Sequence, residues 1–256
     1  MSVLNQFRLD NKVAIVTGGN RGLGYTIAQS LAEAGATVTI TSRNLQRAKD
    51  AATEITTATG QQCQGYACEI TDETQVQALV QQVVKDLGKV DILINNAGIN
   101  VRGPIDQLSL DEFKMVQDTN VTGAWLMCRA VAPYMKQQKY GRVVNLGSML
   151  SVVSMPDRTP YATSKGAVLQ LTRTLALEWA PYGITVNAML PGPFGTEMNK
   201  PLLNDPEKYK AFVAQIPLGR WGEMEEIGGL AVFLASDASS FVTGGGIAID
   251  GGWTAK

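Results

Sequence analysis

Residues 13–24, Val13-Ala14-Ile15-Val16-Thr17-Gly18-Gly19-Asn20-Arg21-Gly22-Leu23-Gly24, run from a short apolar, β-branched segment straight into a glycine-rich turn. Beyond the turn, Ala28, Leu31, Ala32 and Ala34 are spaced for one face of a helix that stops at Gly35. A strand that enters a helix in this way aims backbone N–H groups and the helix dipole at whatever lies past the strand end, which makes a cradle for phosphate. Glycines at 18, 22 and 24 let the chain turn tightly, let a pyrophosphate approach the backbone and let the helix pack close to the sheet. Such glycines also serve purely steric needs in many strand–helix turns. The position directly after the first strand is what favours the phosphate reading.

Working outward, Val13–Thr17, Thr37–Ser42, Gln64–Ala67, Ile92–Asn95, Arg142–Leu146, Thr185–Leu190 and Ile247–Ile249 form seven strand candidates separated by stretches of helical period. Val76, Leu79, Val80, Val83 and Leu87 recur at helical spacing, and Ser109-x-x-Glu112 is a capping box. This alternation predicts an α/β fold: one domain over residues 1–256, built on a doubly wound, seven-stranded parallel sheet with helices on both faces. Pro206 stands where a first helical turn would begin in Asn204–Ile216, a segment with no strand after it until Ile247. A substrate lid is expected there, around residues 194–220. No internal repeat, low-complexity tract or linker interrupts the chain.

The composition excludes whole classes of chemistry. With 256 residues the chain can bury a large core without disulfide or metal staples. It contains no His, so Ser-His-Asp hydrolases, Cys-His proteases, His-ligated metal sites and histidine pH switches are ruled out. No metal site is expected. Acid–base chemistry near neutral pH has to come from carboxylates, a Lys-tuned Tyr, a thiol or a bound cofactor. The formal net charge of −1 and the absence of any run of four basic residues give no field for nucleic acid or an anionic membrane. Cys63, Cys68 and Cys128 are odd in number and lack a CxxC pair, which reads as reduced thiols in a cytoplasmic protein. Near the N-terminus only the four-residue run Val13–Val16 stands where a signal peptide needs roughly 7–15 apolar residues. The longest uncharged stretch, Trp179 to Thr196, is broken by Pro181, Pro191 and Pro193, so no membrane span is expected.

Dinucleotides are sorted at the end of the second strand, where an acidic residue holds a ribose 2′-OH and a basic one accepts a 2′-phosphate. Here that end reads Thr41-Ser42-Arg43-Asn44, with no carboxylate, and Arg21 of the glycine loop joins Arg43. Two guanidinium groups on one dianionic phosphate favour NADP(H) over NAD(H). The alternative is that both arginines are ordinary solvated residues.

Further along come Asn95-Asn96-Ala97-Gly98, Asn120, Ser148 and Tyr161-Ala-Thr-Ser-Lys165. With TGxxxGxG at 17–24, Pro191-Gly192 after the sixth strand and Asp250-Gly251-Gly252 near the C-terminus, this ordered set resembles the short-chain dehydrogenase/reductase family over essentially the whole chain. Tyr161 and Lys165 stand four residues apart on a predicted helix and so share a face. An ammonium beside a phenol favours phenolate, and the expectation is that Lys165 pulls the Tyr161 pKa down from about 10 toward working pH. Tyr161 then exchanges a proton with a carbonyl or alcohol oxygen in place of the missing histidine. Ser148 hydrogen-bonds the same oxygen.

The resemblance implies a Rossmann fold, a homotetramer packed through the helices after the fourth and fifth strands and the C-terminal segment ending at Trp253, and a catalytic set of Asn120, Ser148, Tyr161 and Lys165. Asn120 is implied to anchor a water that links Lys165 to solvent, and Lys165 to hold the nicotinamide ribose. The implied cofactor contacts are Gly18, Asn20, Arg21, Gly22, Leu23, Gly24, Ser42, Arg43, Glu69, Ile70, Asn96, Ala97, Gly98, Tyr161, Lys165, Pro191, Gly192 and Thr196. Glu69 departs from the family, which more often has Asp at the adenine-contacting position. Within the family, residues 96–104, Ser148–Ser151 and Arg220-Trp221-Gly222 look like the gluconate 5-dehydrogenase branch, whose members reduce keto-sugar acids. Arg102 and Arg158 would then suit a carboxylate on the substrate, or else face solvent. Two other functions fit the same fold: reduction of a 3-oxoacyl group on acyl-carrier protein, disfavoured because Tyr182 stands where carrier-protein readers carry a basic residue, and a catalytically idle NADP-binding regulator, disfavoured by the intact Ser148, Tyr161 and Lys165.

Overall fold

The computed structural model describes residues 2–195 and 206–255. Seven strands form one sheet: β1 (Val13–Thr17), β2 (Thr37–Ser42), β3 (Cys63–Ala67), β4 (Ile92–Asn95), β5 (Gly141–Leu146), β6 (Ile184–Pro191) and β7 (Gly246–Ile249). Their order is β3-β2-β1-β4-β5-β6-β7, and every pairing is parallel. Each strand lies within a residue of its sequence-predicted position at both ends. All five residues of β1 and all eight of β6 are buried, as expected where helices cover both faces of a strand.

Around the sheet lie α1 (Gly22–Glu33), α2 (Leu45–Thr59), α3 (Glu73–Leu87), α4 (Leu110–Gln117), α5 (Gly123–Gln138), α6 (Thr159–Trp179), α7 (Pro206–Val213) and α8 (Glu226–Ala235). Alternation along the strands divides the core in two. Ala14, Val16, Ile92, Ile94 and Val144 pack with Ile27 and Leu31 of α1, Ile55 of α2 and Ile227 and Leu234 of α8. Val13, Ile15, Leu93 and Val143 face the other way, onto Val76 and Val83 of α3, Met127 and Val131 of α5 and Leu175 of α6. The starts of α2, α3 and α4 are set by side-chain caps: Asn44 accepts from Arg47 N, Asp72 from Gln75 N, and Ser109 and Glu112 complete the expected reciprocal box.

Two features were not anticipated. A π-helical turn, Asp118–Thr122, joins α4 to α5. The helix α8 is also new, because its sequence is apolar on nearly every face and shows no helical period. Of the lid expected around 194–220, residues 196–205 lie outside the described residues. The following helix α7 places Tyr209 and Phe212 each 5.7 Å from the Trp221 ring, and Phe212 4.8 Å from Trp253, in a cluster with Met149 and Leu150. No helix among the described residues is long and apolar enough to cross a membrane.

Sheet order reverses between β1 and β4, which leaves a crevice at their carboxyl ends. Below it, Asn95 and Asn145 are register partners on β4 and β5. Asn95 Nδ2 donates to Asn145 Oδ1 at 2.8 Å, and Asn145 Nδ2 donates to Thr172 Oγ1 of α6 at 2.9 Å. Asn145 is fully buried, so Asn145→Ala leaves two polar neighbours short of a partner in a dry core. The expected loss is about 2 kcal/mol, read as a lower urea midpoint at unchanged slope.

Candidate active site

A continuous cleft of about 1610 Å³ runs along the carboxyl ends of the strands. That exceeds what one small ligand needs and leaves room for a dinucleotide beside a second small molecule. The loops after β1 and β4 are latched to each other across the crevice. Thr17 Oγ1 accepts from the backbone N–H of Asn96 (3.0 Å) and Ala97 (3.1 Å), while Asn96 Nδ2 donates to the carbonyl oxygens of Thr17 (2.9 Å) and Gly18 (3.2 Å). A Cβ on Gly24 would lie 2.3 Å from Asn96 Nδ2 and 2.5 Å from Gly18 O, so only glycine lets α1 approach this latch. At the start of α1 the N-cap residue Arg21 makes no side-chain cap bond, which leaves the first-turn N–H groups for a ligand.

At the nucleotide end, Ser42, Arg43 and Asn44 line the wall together with Arg21. Glu69 and Ile70 lie on the same cleft, and the Glu69 carboxylate accepts from Thr71 N at 3.4 Å. Arg47 also lines it and escaped the sequence reading. Its signal was the Asn44 cap, which puts residue 47 in the first turn of α2, beside the end of β2.

At the other end, β5 delivers Ser148 and α6 delivers Tyr161 and Lys165, all on the cleft wall. Ser148 Oγ accepts from Leu150 N at 3.1 Å, and the same hydroxyl stands close enough to the Tyr161 phenol to pull its pKa down. Lys165 is buried, 5% exposed, and its Nζ donates to Leu146 O at 2.5 Å. Asn120 sits behind this group rather than on the cleft. Its amide accepts from Ile99 N (2.8 Å) and donates to Ile99 O and to Ser164 Oγ (2.9 Å each), which ties the β4 loop to α6 through the π-turn.

The electrostatics correct one expectation. Burial raises the Tyr161 pKa above the usual phenol value, and the Ser148 hydrogen bond and then the Arg102 charge pull it only partly back. Lys165 is itself pushed down to about 8, because removing an ammonium from water costs more than the Leu146 carbonyl returns. Cys68, which lines the cleft, is pushed up to about 11 by burial, so thiolate chemistry is not available there near neutral pH. Arg102 and Arg158 both reach this end of the cleft. The Arg158 guanidinium has its pKa lowered by burial and then by Arg102, so two like charges are held near one another.

Comparison with known proteins agrees with this arrangement. The family profile described as "Enoyl-(Acyl carrier protein) reductase" matches residues 18–254. The gluconate 5-dehydrogenase of Gluconobacter oxydans (strain 621H) is 39% identical, covering 99% of each chain, and the 5-keto-D-gluconate 5-reductase of Escherichia coli (strain K12) is 38% identical, covering 96% of each. The crystal structure of a gluconate 5-dehydrogenase from Burkholderia cenocepacia J2315 in complex with NADP and tartrate superposes with a TM-score of 0.96 at 38% identity, covering 99% of each chain. The chain belongs to the short-chain dehydrogenase/reductase family. It is an oxidoreductase of the CH–OH/C=O type, on a Rossmann fold.

Of the residues expected from the sequence to serve this family's chemistry, the structure brings all but two onto one cleft. Asn120 lies behind it, and Thr196 lies outside the described residues. Sequence reasoning missed Asn100, and missed Trp221 as a lining residue; both line the cleft, and Asn100 Oδ1 and Trp221 Nε1 are buried with no hydrogen-bond partner.

The Lys165 shift has a consequence for stability. Its folded pKa of about 8 lies below the ordinary 10.5, so the unfolded chain binds more protons between those values and stability rises with pH across that window. Lys165→Met is therefore expected to melt higher than the wild type at pH 7, by an amount equivalent to about 1–3 kcal/mol. Calorimetry of both proteins from about pH 7 to pH 10 should show the gap closing.

Proposed function

We propose that the protein is an NADP(H)-dependent reductase that interconverts a small keto-sugar acid, or a similar polar ketone, and its secondary alcohol. The observation that carries the substrate reading is the pair Arg102 and Arg158 on the same end of the cleft as Ser148, Tyr161 and Lys165. Two guanidinium groups held close together are relieved by a carboxylate. The unpartnered Asn100 Oδ1 and Trp221 Nε1 supply one acceptor and one donor suited to a hydroxylated chain. The chain's likeness to a gluconate 5-dehydrogenase crystallised with NADP and tartrate supports the same class.

The residues present fit the cofactor. The uncapped start of α1 and the Gly18–Gly24 loop would take the pyrophosphate, Arg21, Arg43 and Arg47 the 2′-phosphate, Glu69 and Ile70 the adenine, and Asn96, Ala97, Gly98, Lys165, Pro191 and Gly192 the remainder. When bound, the nicotinamide supplies or accepts a hydride. The protein does the rest. The Ser148 hydroxyl holds the carbonyl oxygen, and Tyr161, which keeps its proton at neutral pH, delivers it to that oxygen as negative charge develops. Lys165 keeps a cation beside the phenol, its Nζ lying 5.6 Å from the Tyr161 ring centre, and Asn120 fixes the α6 face that carries both.

In this reading the whole chain is one catalytic domain, with α7 and the preceding segment acting as a substrate lid. A homotetramer in the cytoplasm is the proposed state: Trp125 on α5 and Leu177 on α6 are exposed, β7 is an edge strand, and all three thiols are unpaired.

Two measurements test the proposal. NADPH should be used with kcat/KM at least about tenfold above NADH, because each charge-assisted contact contributes roughly 1.5–3 kcal/mol. Arg43→Ala should lose NADPH activity and spare NADH, and equal damage to both would refute the phosphate clamp. In a ketone panel, a keto acid should outperform its neutral amide. Arg102→Ala or Arg158→Ala should raise KM for the acid roughly 10–100-fold while the amide hardly responds. Tyr161→Phe should abolish turnover of both and leave NADPH binding near the wild-type level. Equal kcat/KM for acid and amide, unmoved by either arginine substitution, would reduce the function to a generic ketone reductase.

A further inference from the structure

Three residues after Ser148 the chain carries a second serine that the mechanism above does not use. Ser151 Oγ accepts the backbone N–H of Ser148 at 3.1 Å and donates to the carbonyl oxygen of Lys165 at 2.9 Å. One hydroxyl thus joins the backbone of the residue that holds the carbonyl to the backbone of the residue that carries the buried ammonium. The turn has little slack. Met149–Ser151 is a 3₁₀ turn that Ser148 caps through Leu150 N, and a Cβ on Gly147 would fall 2.5 Å from Leu190 Cδ2 and 3.0 Å from Ser151 Oγ. Lys165 is tied to the same strand end a second time, through Nζ to Leu146 O. Its backbone and its side chain are therefore both referenced to residues 146–151.

We propose that Ser151 is a positioning residue: its hydroxyl clamps the Ser148 turn to α6 and so sets the Ser148–Tyr161–Lys165 spacing. A displacement of even about 1 Å at a reacting centre can cost up to about a hundredfold in rate. Ser151 is half-buried, so water can satisfy the two freed backbone groups when the hydroxyl is removed. The loss then falls on alignment rather than on folding. The inference rests on Ser148, Tyr161 and Lys165 carrying out the ketone chemistry.

The test compares Ser151→Ala with the near-isosteric Ser151→Cys, which preserves the fold if alanine does not. Both should lower kcat about tenfold, with ketone KM, NADPH affinity by fluorescence titration and melting temperature close to wild type. A second readout needs no turnover. Tyr161 ionisation, followed by ultraviolet absorbance as the difference from Tyr161→Phe, should move to higher pH in Ser151→Ala as the Ser148 hydrogen bond loosens. In the double variant Ser148→Ala/Ser151→Ala the activity should match Ser148→Ala alone, because Ser151 acts through Ser148. Wild-type kcat in both Ser151 variants with an unmoved Tyr161 midpoint, or losses that multiply in the double variant, would overturn the clamp. A wild type that reduces no ketone in the panel would refute the functional reading, while the Tyr161 midpoint would still judge the clamp.

Discussion

The hydrogen bond from the Lys165 ammonium to the Leu146 carbonyl is the interaction on which the site depends. It joins α6 to the last residue of β5 in a place where Lys165 is almost without solvent. Retaining a lysine there works against its charge, as the pKa near 8 records. Everything packed around it reduces freedom at one point. The Asn95–Asn145–Thr172 chain holds β4, β5 and α6 in register beneath it, the Asn120 amide braces the Ile99 loop against Ser164, and the Ser148 turn closes from the side. These are buried polar contacts with partners on separate elements, and they specify one arrangement where apolar packing alone would tolerate several.

The same physics explains what could be read from the sequence. The strands were legible because a strand covered on both faces needs an unbroken apolar, β-branched run, and Val13–Val16 and Ile92–Ile94 are such runs. The capping box at Ser109 and Glu112 was legible because both partners are local. The helix α8 was not: Ile227, Gly228, Ala231 and Leu234 are buried, but Leu230, Val232 and Phe233 fill the other faces with apolar side chains and erase the period. The π-turn at Asp118–Thr122 has no local signal either, since it is imposed by the contacts Asn120 makes with Ile99 and Ser164, residues distant in sequence.

Charge shows the same separation between local and global. A chain of net charge −1 carries Arg21, Arg43 and Arg47 at one end of its cleft and Arg102 and Arg158 at the other. The total cancels because 23 Asp and Glu offset 22 Lys and Arg over the whole chain. Composition therefore argued against a polyanion-binding surface without bearing on the arginines gathered at the two ends of a single groove.

The sign of the Tyr161 shift was the least legible property, because helical spacing predicts proximity to Lys165 but says nothing about solvent. Spacing alone implied a depressed phenol. Burial acts on both groups in the opposite sense, destabilising the phenolate and the ammonium together. Near neutral pH the phenol therefore keeps its proton and the lysine mostly keeps its charge, which is the protonation state that ketone reduction requires. Alcohol oxidation needs the phenolate, and from this state it becomes accessible only toward alkaline pH, or when a bound group restores the positive potential that burial removes. The direction in which the site is poised is thus set by how completely water is excluded from Tyr161 and Lys165, and the walls that exclude it include the Met149, Leu150 and Trp221 cluster against which α7 packs.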